Sequence, residues 1–137
     1  MFNTGLIKFK NISDKYGSLV PIEAKKDIPF EIKRIYYIKD VKEEAVRGFH
    51  SHRMLHQVLI CISGNVKIRL KNGFDEKIVQ LDNSDYGLYI GPMIWREMFE
   101  FSNNAVLLVL ASEYYDESDY IRDYDTYLQE ARKFFRR

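Results

Sequence analysis

The three histidines of the chain, His50, His52 and His56, lie within one short segment. If residues 49–53 form an extended strand, side chains alternate between its two faces, so His50 and His52 project to the same face. An unperturbed imidazole titrates near pH ~6.5, so such a pair can take up and return protons at cellular pH. His56 shares the parity, but a turn just before it is expected to break the register. The spacing favours a proton-transfer pocket around His50 and His52.

Metal binding is the main alternative use of these imidazoles. In β-barrel metal sites a His-x-His pair is joined by a carboxylate a few residues on and by a histidine from a later hairpin. Here the carboxylate position holds His56 or Gln57, and the later hairpin offers Arg96, whose guanidinium stays protonated and repels a cation. Three imidazoles can hold zinc, so a site made of His50, His52 and His56 stays open.

Arginines near the histidines suit the binding of an anion and the enolisation of a ketone, in which one imidazole removes a carbon-bound proton while another group handles the oxygen. Arg47 comes two residues after a charged run, and a surface ion pair with Glu43 or Glu44 is its alternative use. Gly48 has no side chain, so we expect room for a ligand to approach the backbone there.

Short apolar runs separated by turn residues follow one another along the chain, which is typical of an all-β sandwich or barrel. The predicted strands are Leu6–Phe9, Ser18–Ile22, Ile32–Ile38, Arg47–His52, Gln57–Ile62, Asn65–Leu70, Lys77–Leu81, Gly87–Ile90, Ile94–Phe99 and Val106–Ala111. Asn72-Gly73 predicts a hairpin, and Ser63-Gly64 and Gly91-Pro92 predict turns.

The end of the chain predicts a helix over residues 125–137, capped by Asp125. Leu128, Ala131 and Phe135 fall at helical spacing and give one apolar face to lay on the strands. The basic residues at its end suit a helix C-terminus, which favours cations. The acidic and aromatic stretch before it, residues 113–120, is expected to cross the surface as a loop.

Length and charge limit the possible classes of protein. With 137 residues, the expectation is a single domain over 1–137. The net charge of +1 is too small to suggest nucleic acid as a partner. The lone Cys61 cannot form an internal disulfide, no signal sequence opens the chain, and no apolar run approaches a membrane span. The cytoplasm is the expected location.

Seven strings occur in an order that is specific to one family. They are Asp14-Lys15-Tyr16-Gly17-Ser18-Leu19, Ile32-Lys33-Arg34-Ile35-Tyr36-Tyr37, Arg47-Gly48-Phe49-His50-Ser51-His52, Gln57-Val58-Leu59, Gly87-Leu88-Tyr89-Ile90-Gly91-Pro92, Trp95-Arg96-Glu97-Met98 and the segment from Leu110 to Arg122. Together they closely resemble the dTDP-4-keto-6-deoxyglucose 3,4-ketoisomerases, which are metal-independent cupins of deoxyamino-sugar biosynthesis. The Arg-Gly-x-His part is also similar to the dTDP-sugar 3,5-epimerases.

The resemblance implies an all-β fold, a cupin-type (jelly-roll) antiparallel barrel with a C-terminal helix. It implies that His50 removes the proton from sugar C3 to give an enediol, while His52 shuttles protons between the C3 and C4 oxygens. Residues implied in substrate binding are Arg34 and Arg47, which would face the pyrophosphate, and Tyr36 and Gln57, which would line the pocket. No external cofactor is implied, because the ketone of the substrate serves as the electron sink.

Tyr16 and Arg96 carry the stereochemical expectation. One branch of the family has an arginine and a histidine at these two places, whereas this chain has tyrosine and arginine. It therefore resembles the branch that yields the gluco product, dTDP-3-keto-6-deoxy-D-glucose, and both residues are implied in catalysis. The family forms homodimers that exchange strands. The galacto product, a 3,5-epimerase and a non-catalytic nucleotide-sugar-binding cupin remain as alternatives.

Overall fold

The computed structural model describes residues 1–136, which form two five-stranded antiparallel sheets, a separate hairpin and one C-terminal helix. The strands are β1 (Thr4–Lys8), β2 (Ile12–Asp14), β3 (Gly17–Leu19), β4 (Arg34–Ile38), β5 (Arg47–His52), β6 (Gln57–Ser63), β7 (Val66–Lys71), β8 (Glu76–Leu81), β9 (Tyr86–Ile90), β10 (Trp95–Phe99), β11 (Val106–Ala111) and β12 (Tyr120–Ile121), and the helix is α1 (Tyr124–Phe134). The sheet orders are β1-β9-β6-β11-β4 and β12-β5-β10-β7-β8, with β2 and β3 paired to each other. The predicted all-β class with antiparallel pairing is confirmed.

One apolar core joins the two sheets. Leu59 and Leu107 from the first sheet and Ile68 and Leu70 from the second belong to the same buried cluster. In β7 the burial alternates with every second residue, as expected for a strand with one face towards a core. Strand β6 is instead a nearly continuous run of buried residues. Its outer face packs in a second apolar cluster against the loop around residues 20–32, so both faces of the strand are buried. The core therefore fixes β10, which pairs with the histidine strand β5, and β6, which lies in the other sheet and carries Gln57.

Helix α1 begins at Tyr124, one residue before the predicted range, and its cap lies two residues before the predicted one. Asp123, not Asp125, is its cap, since the Asp123 carboxylate accepts a hydrogen bond from Thr126 N at 2.9 Å. The helix ends at Phe134, short of the predicted range, and Arg137 lies outside the described residues. Ala131 and Phe135 are buried and Leu128 packs against the core, as predicted, and the fully buried Tyr127 lies in the same cluster.

The histidine strand contains a β-bulge. Strand β5 pairs with β10 through His50 opposite Arg96 and Gly48 opposite Glu97, so Phe49 is the extra residue. Gly48 and Phe49 both have positive φ, 99° and 55°. A Cβ placed on Gly48 would lie 2.8 Å from the backbone oxygen of Arg96. On the side of a Cβ the backbone of β10 therefore approaches Gly48 closely, and the predicted space for a ligand is present as well, since Gly48 lines a cavity of about 480 Å³.

Strands β2 and β12 were absent from the sequence prediction, whereas β3 overlaps the predicted strand Ser18–Ile22. The β2–β3 hairpin leaves Ile12 and Leu19 exposed, with Tyr16 at its tip. The two-residue strand β12 pairs with the end of β5, opposite Ser51 and His52. The predicted hairpin at Asn72-Gly73 does connect β7 to β8. Within residues 1–136 no helix has the length and apolar character needed to cross a membrane.

Candidate active site

His50 and His52 lie side by side at the end of β5. Their ring centroids are 4.9 Å apart and the rings are almost perpendicular, at 84°. Beyond the bulge the strand alternates normally, so both rings project to the same side and Ser51 to the other. Tyr120, carried by β12, contacts both rings, with centroid distances of 4.9 Å to His50 and 4.2 Å to His52. The structure thus brings together the two histidines that the sequence paired.

Hydrogen bonding orients His50. Its Nδ1 lies 3.1 Å from the backbone oxygen of Gly48. A carbonyl oxygen only accepts, so Nδ1 carries the proton and donates it, which leaves Nε2 with a free lone pair. Burial, followed by the positive charge of Arg96, lowers the pKa of His50 to about 3. The imidazole is therefore neutral at cellular pH, with Nε2 able to accept a proton.

His52 is more deeply enclosed, with only 1% of its surface exposed. Burial lowers the pKa of His52 well below its ordinary value, and the charge of Arg96 acts in the same direction. Within residues 1–136 neither ring nitrogen makes a hydrogen bond. The carboxylate of Asp119 lies 3.5 Å from Nδ1. His52 is thus a second neutral imidazole, held beside a carboxylate.

Beneath the histidines, a buried chain of hydrogen bonds joins three of the predicted residues. Arg96 Nη1 donates to Gln57 Oε1 at 2.5 Å, and Gln57 Nε2 donates to the Tyr36 hydroxyl at 3.0 Å. Two further Arg96 nitrogens donate to the backbone oxygen of Ile94. Burial lowers the pKa of Arg96 to about 10, so the guanidinium is still charged at neutral pH. Burial also raises the pKa of Tyr36, which keeps the phenol protonated.

A cavity of about 480 Å³ opens beside His50 and has a cationic wall. Arg34, Arg47 and Arg122 line it together with Tyr36. Arg47 forms no ion pair with Glu43 or Glu44 in the described part of the chain and is instead one of the residues that line this cavity. Such a wall suits the oxygens of a diphosphate.

Tyr120 and Arg34 also line a second cavity of about 400 Å³, which His52 and Asp119 border. Each histidine therefore lines a different cavity, and Tyr120 lines both.

Two of the sequence candidates lie elsewhere. Tyr16 is 84% exposed at the hairpin tip and does not line either cavity of its own chain. His56 packs near Phe30, and its Nδ1 lies 2.7 Å from the Tyr89 hydroxyl. No group of three or more His, Cys, Asp or Glu in residues 1–136 is arranged to hold a metal ion. The three-imidazole zinc site is therefore not formed.

The sequence analysis did not identify the residues that enclose the site from the C-terminal side. Asp119 and Tyr120 come from the segment that was expected to be a surface loop, and Arg122 follows that segment. Arg122 stacks over the Tyr120 ring at 4.3 Å, and its guanidinium makes hydrogen bonds of 2.6 Å and 3.0 Å to the Glu117 carboxylate. The order Tyr120, Ile121, Arg122 alternates polar and apolar residues as a strand does. A strand of two residues is nevertheless too short to be predicted from periodicity.

This protein is a mostly antiparallel β protein with a pair of histidines in its candidate site. It belongs to the family described as FdtA: WxcM-like, C-terminal, whose model matches residues 2–132. The resemblance drawn from the sequence motifs is confirmed.

Individual relatives are similar over nearly the whole chain. TDP-4-oxo-6-deoxy-alpha-D-glucose-3,4-oxoisomerase of Aneurinibacillus thermoaerophilus is 52% identical over 122 residues, which are 89% of this chain and 88% of that protein. The structure of QdtA, a sugar 3,4-ketoisomerase from Thermoanaerobacterium thermosaccharolyticum in complex with TDP, superimposes with a TM-score of 0.97 at 63% identity, over 98% of both chains. WlaRB, a TDP-quinovose 3,4-ketoisomerase from Campylobacter jejuni, has a TM-score of 0.91 at 46% identity, over 94% of this chain and 99% of its own.

Proposed function

We propose that this protein is a sugar 3,4-ketoisomerase that converts dTDP-4-keto-6-deoxy-D-glucose into dTDP-3-keto-6-deoxy-D-glucose. The observation that carries the proposal is the pair of neutral imidazoles, 4.9 Å apart, beside a cavity with a cationic wall. The relatives named 3,4-oxoisomerase and 3,4-ketoisomerase support the same reaction. In this proposal the two sheets form a cupin-type barrel, and the sugar lies between them against His50 and His52.

The reaction moves one carbonyl group without net gain or loss of atoms. His50 Nε2 removes the proton from C3, and the electron pair of that bond forms a C3–C4 double bond as the C4 carbonyl becomes an enolate oxygen. His52 passes a proton from the C3 hydroxyl to the C4 oxygen, so that the ketone re-forms at C3 while C4 receives a proton supplied by solvent, and His50 returns to solvent the proton that it took from C3. General acid–base catalysis of this kind requires neutral imidazoles within hydrogen-bonding reach, which burial provides here.

The remaining predicted residues have charge and positioning roles. Arg96 places a buried positive charge beneath the rings, where it stabilises the negative oxygen of the enediolate. Gln57 fixes the Arg96 guanidinium and the Tyr36 phenol in one hydrogen-bonded row. Arg34 and Arg47 bind the diphosphate through guanidinium hydrogen bonds.

Tyr16 reaches the site by entering the cavity of a second copy of the chain, in a homodimer that exchanges strands. Its hairpin exposes Ile12 at 62% and Leu19 at 59%, and such apolar residues favour a partner surface. With Arg96 beneath the rings, Tyr16 from the partner helps to select the face on which C4 is protonated. The gluco product follows from this pair, in agreement with the relative named for quinovose, a 6-deoxy sugar of gluco configuration.

The reaction is tested by incubating the purified protein with the 4-keto sugar nucleotide in deuterium oxide and following it by NMR. We expect a 3-keto product with deuterium at C4, which a 3-aminotransferase then traps. Deuterium at C5 would instead indicate a 3,5-epimerase. Binding of dTDP with an unchanged sugar would indicate a non-catalytic binding protein.

The placement of Tyr16 is tested by mixing two inactive variants, Tyr16→Ala and His50→Asn, after joint refolding. If Tyr16 serves the partner, each mixed dimer regains one intact site, and about a quarter of the wild-type activity should return. If Tyr16 serves its own chain, mixing restores nothing. A Tyr16→Ala protein that keeps full activity and product configuration would remove Tyr16 from the site.

A further inference from the structure

We propose that Asp119 is a positioning residue for His52: its carboxylate holds the proton of the neutral imidazole on Nδ1, which leaves Nε2 to exchange protons with the sugar oxygens. Proton exchange between His52 Nε2 and the sugar rests on the proposed ketoisomerase function. The Nδ1–H tautomer is a property of the resting protein and does not depend on turnover.

The backbone fixes the Asp119 carboxylate in place. One of its oxygens accepts a hydrogen bond from Met54 N at 2.9 Å and the other from Leu55 N at 3.2 Å. The Asp119 backbone oxygen accepts from Arg53 N at 2.9 Å. The next residue, Tyr120, pairs directly with His52 across the β5–β12 ladder. The carboxylate is thus tied to the turn that follows His52 as well as to the strand beside it.

The surroundings of His52 leave the choice of tautomer to this carboxylate. Both ring nitrogens are buried and make no hydrogen bond within residues 1–136. Asp119 Oδ2 lies 3.5 Å from His52 Nδ1. No other Asp or Glu side chain in the described residues lies within 4 Å of a nitrogen of His52. An ionised carboxylate can only accept, so it favours the tautomer that carries its proton on Nδ1. Contacts of this length in a free enzyme commonly shorten in the substrate complex.

Asp119 also supplies the charge that His52 needs during the reaction. When His52 takes a proton from the sugar, the imidazolium is opposed by the positive charges of Arg96, Arg34 and Arg122. A carboxylate beside Nδ1 offsets part of this repulsion at the moment the proton is transferred. Orientation of a histidine by a carboxylate is the arrangement that a proton shuttle requires.

The test is the variant Asp119→Asn, read by both spectroscopy and kinetics. The amide keeps one carbonyl oxygen for the turn, but it can donate to Nδ1 and no longer carries charge. We expect nitrogen-detected imidazole spectra to show His52 as the Nδ1–H tautomer in the wild type and to show the Nε2–H form in the variant. We also expect kcat to fall by about 10- to 100-fold while KM changes by less than about threefold.

The matched control is Asp116→Asn in the same segment. The Asp116 carboxylate caps the short 3-10 helix through Ser118 and does not contact His52. It should leave both the tautomer and kcat unchanged. An unaltered tautomer or kcat in Asp119→Asn would overturn the proposal. If that variant does not fold, the wild-type spectrum decides: an Nε2–H tautomer refutes the proposal and an Nδ1–H tautomer supports it. A wild-type protein without isomerase activity would refute the proposed function while leaving the tautomer result valid.

Discussion

The bulge at Gly48 makes a quantitative prediction about the backbone that holds His50. In Gly48→Ala the new Cβ would lie 2.8 Å from the backbone oxygen of Arg96 and 3.3 Å from Glu97 Cα, and both atoms belong to the backbone of the neighbouring strand. Overpacking of this kind costs about 1–3 kcal/mol. The φ of 99° adds about 1–3 kcal/mol for a residue with a side chain, and the lower entropy of the unfolded alanine chain returns about 0.4–1 kcal/mol.

We therefore expect Gly48→Ala to lower the free energy of unfolding by about 1–5.6 kcal/mol, which leaves a domain of average stability folded at 25 °C. Urea unfolding measures this loss, at one protein concentration throughout because self-association would add to the apparent stability. The relief of the clash separates β5 from β10, so kcat should fall in the folded variant as well.

The matched control is Gly5→Ala, at a glycine in β1 where an added Cβ meets nothing within 4 Å. It should change stability by less than about 1 kcal/mol. Equal stability of the two variants would refute the reasoning, because it would mean that the bulge relaxes without resistance from β10.

Four further outcomes follow from the site. His50→Asn should reduce turnover by about 100-fold or more while calorimetry finds dTDP affinity unchanged, and a loss of folding would point to a structural role instead. Arg47→Ala should weaken dTDP binding by about 10- to 100-fold, and an unchanged affinity would remove it from the diphosphate site. Because the pKa of His50 is lowered to about 3 and that of His52 is also lowered, the unfolded chain binds protons below pH ~6.5 that the folded chain does not. The free energy of unfolding should then fall as the pH drops from 7 to 5, and an equally steep fall in the His50→Asn/His52→Asn double variant would contradict this. Tyr16→Arg combined with Arg96→His should shift the C4 configuration towards galacto, and an unaltered product would exclude this pair as the stereochemical determinant.

Local alternation was sufficient to predict the histidine pair. The strand Arg47–His52 has the predicted bounds, and His50 and His52 share a face, because both properties depend on neighbouring residues alone. The bulge at Phe49 was not predictable in the same way, since it depends on how the backbone of β10 meets Gly48.

The C-terminal wall of the site was missed for a related reason. Asp119 and Tyr120 reach His52 only because a two-residue strand pairs with β5 across a separation of 68 positions in the chain. Such a pairing gives no periodic signal in the sequence. Tyr16 is a different case, because it was selected through the family resemblance alone and a single chain leaves it exposed at the tip of a hairpin.

The charges of the site suggest when the imidazoles become basic enough to act. Arg96 is buried and donates to Gln57 and Ile94, both of which are neutral acceptors, so its field opposes protonation of His50 and His52 in the resting protein. Two unit charges about 4 Å apart interact by roughly 4 kcal/mol at an effective dielectric constant of about 20. In the proposed reaction the enediolate oxygen brings a negative charge next to Arg96 at the step when an imidazole must hold a proton. The negative charge that develops on the substrate therefore offsets the field of Arg96, which kept the two imidazoles neutral. As a result, the site stabilises the transition state more strongly than the ground state.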